Sequence, residues 1–285
     1  MELAIRVITD STANLEAALV KELGIVQVSL SVNFEDKSYL EIDISNEEFF
    51  SLMDKSPKVP TSSQPSPADF YIRFLEAYEA GFDIVGVFIS ADLSGTYSSA
   101  LTARSMLLEK FPQARIELID SRSAAMELGY AVLAAARAAK AGATIEEVML
   151  RAELVMQRSH IYFAPQTLDY LKKGGRIGGA AALVGTLLQV KPILTIQEGK
   201  VAIFDKVRTM EKAINRLISE LGADFQLNGV EEITVHHINS LDAARKVAAL
   251  VKERFGLTAT INQIGPVVGL HVGPGTLGLA YYVRG

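Results

Sequence analysis

The 285-residue chain has no cysteine and no tryptophan. The first absence excludes a disulfide framework, a thiolate nucleophile and a cysteine-ligated zinc, and a reducing cytoplasm suits such a chain. Histidine is scarce as well. His160, His236, His237 and His271 are the whole complement; no two stand at the His-x-x-x-His spacing of a helical metal site, and no metal or other cofactor is expected. Basic residues form no tract. The 28 Lys and Arg are dispersed among 33 Asp and Glu for a net charge of -5, which argues against nucleic acid as a partner and against a polybasic membrane anchor.

Two motifs are missing too. There is no Gly-x-x-x-x-Gly-Lys-Ser/Thr phosphate loop, and Ser94 stands in Asp92-Leu93-Ser94-Gly95-Thr96 rather than in the Gly-x-Ser-x-Gly elbow of an α/β hydrolase. The nearest approach to a membrane-length apolar run, 124–141, carries Glu127, Arg137 and Lys140 and reads as a core helix. Residues 1–9, with Glu2 and Arg6 among them, are expected to be neither signal peptide nor span.

What is present is aliphatic. Hydrophobic residues reach 49% and aromatics 7%, so the interior is built of Leu, Ile, Val and Ala, and the length suits two domains of ordinary size. The chain is organised around 85–100. Branched residues over 85–89 predict a strand buried on both faces, and Ser94, Thr96, Ser98 and Ser99 crowd the turn from it into a helix over 97–111. A helix start offers free N–H groups and partial positive charge, so such a turn suits a carboxylate or phosphate. An N-cap needs one hydroxyl; four in six residues exceed it. Gly95 lets a backbone or ligand come close.

A strand over 3–9 ending in Asp10-Ser11-Thr12 and a helix over 15–22 make the first βα unit, and a strand over 25–32 follows. Residues 34–44 read as irregular, and Ser45 with Glu48 caps a helix to about Lys55. Over 57–67 four prolines exclude a regular element, with Thr61, Ser62 and Ser63 in the middle of the stiffened loop. Helices over 70–79, 123–141 and 144–157 alternate with strands over 84–89 and 116–119. Asp120-Ser121 repeats the Asp10-Ser11 ending, which places both strand ends on one edge of a parallel sheet, where ligands of such folds collect.

After about 160 the texture changes. A short amphipathic piece over 168–179 ends in paired glycines around Arg176; it reads either as an anion nest under a guanidinium or as a helix stop with a flexible linker. A helix over 180–188, a hairpin over 192–207, later strands over 231–237, 259–264 and 279–283, and helices over 210–221 and 243–255 give this part antiparallel character. His236 and His237 face opposite ways on one strand and read as a strand-end pair. His271 stands in a glycine-rich turn over 269–278. The expected fold is α/β, with a parallel-sheet domain over 1–159 and a mixed-sheet domain over 160–285. Its hydroxyls, one arginine and one histidine can hold an anionic head group, and no activated nucleophile or carboxylate pair stands out, so binding is the simpler expectation. The alternative is a small-molecule hydrolase or phosphotransferase using Ser94 with His271.

Five ordered motifs carry a resemblance. Asp10-Ser11-Thr12-Ala13-Asn14-Leu15, Ser62-Ser63-Gln64-Pro65-Ser66-Pro67, Leu93-Ser94-Gly95-Thr96-Tyr97, Leu171-Lys172-Lys173-Gly174-Gly175-Arg176-Ile177 and His271-Val272-Gly273-Pro274-Gly275-Thr276 together resemble the DegV family, from Leu3 nearly to the C-terminus. The resemblance implies two α/β domains with a long-chain fatty acid such as palmitate between them. Its carboxylate would be held by the hydroxyl before Ser-Gln-Pro-Ser and the serine of Leu-Ser-Gly-Thr. These are Ser62 and Ser94, with Gly95 and Thr96 completing the second loop; the family usually has threonine where Ser62 stands, and Thr61 precedes it, so Thr61 and Ser62 are both candidate donors. The resemblance further implies a bacterial lipid carrier rather than an enzyme, one that presents the acid to a separate ATP-using fatty acid kinase subunit for acyl phosphate formation. Arg176 and His271 would then lie at the mouth, toward the phosphate or the kinase, with transient membrane contact during exchange of lipid.

Overall fold

The computed structural model describes residues 4–183 and 190–285. Its first part runs β1 (Ala4–Asp10), α1 (Ala17–Leu23), β2 (Val26–Val28), β3 (Ser31–Asn33), β4 (Ser38–Leu40), α2 (Asn46–Lys55), β5 (Thr61–Ser63) and α3 (Pro67–Glu79). There follow β6 (Phe82–Phe88), α4 (Thr96–Lys110), β7 (Ile116–Asp120), α5 (Ala125–Lys140), α6 (Ile145–Met156), β8 (Ser159–Ala164) and α7 (Asp169–Lys173). The remainder is β9 (Lys191–Gln197), β10 (Lys200–Val207), α8 (Met210–Asn228), β11 (Val230–His237), α9 (Leu241–Phe255), β12 (Thr260–Gln263), α10 (Pro266–Val272) and β13 (Leu277–Val283).

The fold is mixed α/β. Four strands form an all-parallel sheet in the order β2-β1-β6-β7, and the apolar run of β6 is buried on both faces, as a covered parallel sheet demands. Asp10 and Asp120 end the two strands that flank β6, on one edge as expected. Asp10 Oδ2 accepts from the Ile89 N–H at 2.8 Å and Asp120 Oδ1 from the Ala91 N–H at 3.2 Å. A second sheet of six strands runs β10-β9-β8-β13-β11-β12, antiparallel except where β11 meets β12.

α5 lies between the two sheets, touching β1 and β6 on one side and β8 and β13 on the other. A helix so placed has no solvent stripe, which is why its sequence is apolar nearly all round and rich in alanine: Ala131, Val132 and Ala135 are fully buried. Tyr130 pins it to the second sheet, its hydroxyl 2.8 Å from Thr234 Oγ1 and 3.0 Å from the Ala280 carbonyl.

A small antiparallel sheet, β4-β3-β5, corrects three expectations, the first being that 34–44 is irregular, since Ser38–Leu40 within it pairs with β3. The single strand over 25–32 is instead β2 in the parallel sheet and β3 in the small one. Between them the backbone of Leu30 is taken by other neighbours: its N–H donates to Ser11 Oγ at 3.0 Å and its carbonyl accepts from the Glu41 N–H at 2.8 Å. The proline-rich loop does hold a regular element. Thr61–Ser63 sits between Pro60 and Pro65, keeps its own N–H groups, and pairs with β3 as Asn33↔Thr61, Val32↔Ser62 and Ser31↔Ser63.

Two later segments also differ. The turn expected around His271 begins as α10, with Pro266 at its first position, and the chain turns only at Gly273 and Gly275, with φ of 88° and 79°. The helix expected over 180–188 is a 3-10 helix at Gly178–Leu183; 184–188, like Leu3 at the start of the first strand, lies outside the described residues.

Candidate functional site

Between the two large sheets lies a cavity with about 880 Å³ of atom-free space, its solvent mouth included. The second sheet supplies the floor, on which Val201 of β10, Ile196 of β9, Phe163 of β8, Gly278 of β13 and His236 of β11 follow one another across the strands. Leu30, Ile89, Leu93, Ala124, Val267 and Val268 contribute opposing walls. Polar side chains are few. Ser62, Ser94, Arg176 and His271 all line the cavity; Ser62 bonds to His271, and Arg176 bonds to the backbone beside Ser94.

Ser62 is positioned by strand alternation. It shares a face with its buried partner Val32, while Thr61 and Ser63 turn outward and are exposed. Ser62 Oγ meets His271 Nε2 at 2.8 Å. Burial, with a smaller contribution from the Arg176 charge, pushes the His271 imidazole down to about 4, so the ring is neutral near pH 7. Its Nδ1 is buried without a partner among the described residues and lies over Gly174, where a Cβ would come within 2.1 Å of it. Room for that ring is what the glycine provides.

Arg176 fastens two loops together. Its Nη1 donates to the Gly174 carbonyl at 2.6 Å and its Nε to the Leu93 carbonyl at 3.1 Å, so the segment after α7 is tied to the turn that carries Ser94. Ser94 Oγ pairs with Thr96 Oγ1 at 2.8 Å and accepts from the Thr96 N–H at 3.3 Å; it serves the start of α4 and faces the cavity at once. Gly95 is pressed against Gln64, whose amide would lie 2.2 Å from a Cβ there. Gln64 Nε2 also donates to Ser99 Oγ at 3.2 Å, which locks the stretch after β5 onto α4. Gly95, the buried Thr96 and the exposed Thr61 do not line the cavity.

The Ser94–His271 pair that a hydrolase or phosphotransferase would need is not formed. His271 pairs with Ser62 instead, and among the described residues no acid orients its other nitrogen. Among the described residues, no three His, Asp or Glu side chains are placed to share a metal ion, and no helix is long and apolar enough to cross a membrane.

Expected only as a strand-end pair, His236 and His237 both line the cavity. His236 accepts from the Met126 N–H through Nε2 at 3.3 Å, and burial pushes it down to about 4. His237 accepts from the Ser240 N–H through Nδ1 at 3.4 Å. Their position at the carboxyl end of a strand was the available signal. Gln64 gave none beyond standing next to the hydroxyls.

The DegV family model, described as "Uncharacterised protein, DegV family", matches residues 4–284. A DegV domain-containing protein of Clostridium acetobutylicum is 47% identical over 282 residues, 99% of each chain. A solved fatty-acid-binding DegV family protein from Thermus thermophilus aligns with a TM-score of 0.89 at 33% identity, covering 99% of this chain and 100% of its own. A stearic-acid-binding protein from Eubacterium ventriosum gives the same TM-score, 0.89, at 27% identity, with 98% of each chain covered. A family match over almost the whole length, and a relative this similar from end to end, establish that the chain belongs to the DegV family.

Proposed function

We propose that this protein binds one long-chain fatty acid, such as palmitate, between lobes formed by residues 1–159 and 160–285, and presents it to a separate ATP-dependent fatty acid kinase subunit for acyl phosphate formation. The observation that carries this reading is the distribution of polarity in the cavity. Aliphatic walls extend across the second sheet, and the hydroxyls, the guanidinium and a neutral imidazole gather where Ser62, Ser94, Arg176 and His271 meet. The apolar wall supplies affinity for a tail and the hydroxyls orient a carboxylate.

Ser62 and Ser94 donate to the carboxylate. Ser62 takes the role over Thr61, whose side chain faces solvent, and Thr96 orients the Ser94 hydroxyl while Gly95 lets Gln64 close over the turn. Arg176 and His271 stand at the mouth, toward the kinase and the phosphate it adds. The ligand class is supported by the relatives from Thermus thermophilus and Eubacterium ventriosum, described as fatty-acid-binding and stearic-acid-binding proteins. Kinase presentation is carried by the motif resemblance and by the lack of any phosphate loop in this chain. Such a carrier works without a cofactor of its own in the bacterial cytoplasm, touching the membrane transiently.

Organic extraction of the purified protein and mass spectrometry test the binding: a long-chain fatty acid in roughly stoichiometric amount is expected, and protein free of lipid refutes it. Reconstitution with the native cell's kinase subunit and ATP tests presentation through acyl phosphate formation. A fluorophosphonate probe that labels Ser94 or Ser62 would favour the hydrolase reading instead.

A further inference from the structure

α10 is held at both ends by the other lobe. By sequence the helix, Pro266–Val272, belongs to residues 160–285, yet it packs on α2, β3 and β5 of residues 1–159. Its N-cap is Gly265, which has no side chain with which to cap it. The cap comes from elsewhere in the chain. Glu41 Oε1 accepts from the Val267 N–H at 2.9 Å, one of the first-turn donors that no carbonyl of the helix itself can reach. A Cβ on Gly265 would lie 2.6 Å from that oxygen, so the glycine is the space through which the carboxyl group enters.

The other end of α10 is the head-group site. Val267 and His271 stand four residues apart, so their side chains share a face of the helix, and both line the cavity. Along the axis they are about 6 Å apart, little more than one turn. His271 Nε2 meets Ser62 Oγ at 2.8 Å, and between the two ends Gly269 is closed against Phe50 of α2, whose ring would lie 3.0 Å from a Cβ there. The small sheet carries both handles. Glu41 directly follows β4, Ser62 lies in β5, and β3 pairs with both strands. The Glu41 N–H donates to the Leu30 carbonyl at 2.8 Å, and the residue is only 7% exposed, so its side chain is fixed where it meets the helix.

We propose that Glu41 is a positioning residue for the head-group site: by tying the start of α10 to the small sheet it keeps His271 on Ser62, and so keeps the Ser62 hydroxyl turned toward the carboxylate. Glu41 itself does not line the cavity and acts only through the helix. The inference rests on the fatty-acid reading above for its effect on binding, whereas the coupling of Glu41 to the Ser62–His271 pair is a property of the free protein.

The test uses the delipidated full-length protein, with palmitate and hexadecanol as probes that share a tail and differ in the carboxylate. In Glu41→Ala the Val267 N–H loses its acceptor and the His271 Nε2 resonance in nitrogen-15 spectra shifts. Palmitate weakens roughly tenfold or more, as expected for loss of one hydroxyl-to-carboxylate bond, and hexadecanol only about threefold. Glu41→Gln, whose amide oxygen accepts from the same N–H, restores both the resonance and the palmitate affinity. Gly265→Ala displaces the carboxyl group without removing it, at a φ of -66° that alanine adopts freely, and shifts the same resonance. That variant keeps the inference refutable where Glu41→Ala does not fold. An unshifted His271 resonance in folded Glu41→Ala or Gly265→Ala overturns the inference. So does an equal loss for palmitate and hexadecanol, or a Glu41→Gln protein that restores neither readout, since each marks Glu41 as general support for the fold. If neither probe binds the unsubstituted protein, the fatty-acid reading itself falls, and the resonance alone decides whether Glu41 governs the Ser62–His271 pair.

Discussion

Ser94→Ala separates what the tail contributes from what the head contributes. The fourteen methylenes of palmitate, at about 0.8 kcal/mol each, are worth about 11 kcal/mol gross. One hydroxyl donating to a carboxylate contributes about 1.5–3 kcal/mol. Loss of the Ser94 hydroxyl therefore weakens palmitate roughly ten- to hundredfold, and the variant still carries lipid through purification. Octanoate, with eight fewer methylenes, loses about 6 kcal/mol, more than a thousandfold, against the unsubstituted protein. Since the hydroxyl also accepts from the Thr96 N–H at the start of α4, the variant loses about 1 kcal/mol of stability with it. Delivery suffers most. A carboxylate no longer held by two hydroxyls is misaimed for phosphoryl transfer, where small misplacements are costly, so single-turnover acyl phosphate formation at saturating palmitate falls further than the affinity does. Calorimetry with palmitate and octanoate, followed by the turnover assay with the kinase subunit, measures both. A Ser94→Ala protein that transfers at the full rate, or one that binds octanoate as tightly as palmitate, refutes the assignment of tail to affinity and Ser94 to orientation.

Gly174→Ala requires no change in φ, which is -76° there, yet its Cβ would lie 2.1 Å from His271 Nδ1; the ring is expected to leave Ser62, read as a shifted Nε2 resonance in nitrogen-15 histidine spectra together with reduced transfer. Tyr130→Phe leaves Thr234 and the Ala280 carbonyl without the hydroxyl they share and costs about 1–3 kcal/mol, measured by urea unfolding with an unchanged slope. Glu41 is buried, its Oε1 accepts from the Val267 N–H at 2.9 Å, and burial pushes its carboxyl up to about 7 from an ordinary 4.5. The folded state then holds this proton more tightly than the unfolded chain does, so its contribution to stability is present below about pH 4.5 and is lost as pH rises through about 7. Glu41→Gln flattens that part of the profile, and unfolding midpoints that fall as steeply with pH as before would contradict it.

What could be read from the chain is what near neighbours in sequence decide. The hydroxyl-crowded turn at Ser94 follows a strand and opens a helix, and every part of that pattern lies within 85–100, so it places Ser94 at the edge of the parallel sheet without further information. The alanine-rich helix is legible for the same reason, because apolar residues all round admit only a helix covered on both sides. The illegible parts depend on distant partners. Leu30 leaves its strand because Ser11 and Glu41 take its backbone groups. Thr61–Ser63 becomes a strand because β3 lies beside it, and proline content says nothing of that. Ser62 and His271 are 209 residues apart, and no local pattern announces that they touch.

A serine 2.8 Å from a histidine invites a hydrolase reading, and the electrostatics of the site weigh against it. A general base must become charged when it takes the serine proton. At His271 burial and the Arg176 charge both oppose that, and a ring held at about 4 is protonated roughly once in a thousand molecules near pH 7. Among the described residues, no carboxylate stands at Nδ1 to stabilise the charge. The same features suit a holder. In the tautomer whose Nε2–H donates to Ser62 Oγ, the neutral ring leaves the Ser62 proton free to point at an acceptor, and on the proposed reading that proton and the Ser94 hydroxyl meet a carboxylate with donors and no competing charge. Arg176, its Nε and Nη1 already donating to the Leu93 and Gly174 carbonyls, supplies positive charge at the mouth without reaching into the apolar interior. These features support the proposed reading, in which the site keeps an acid intact and oriented while another protein does the chemistry.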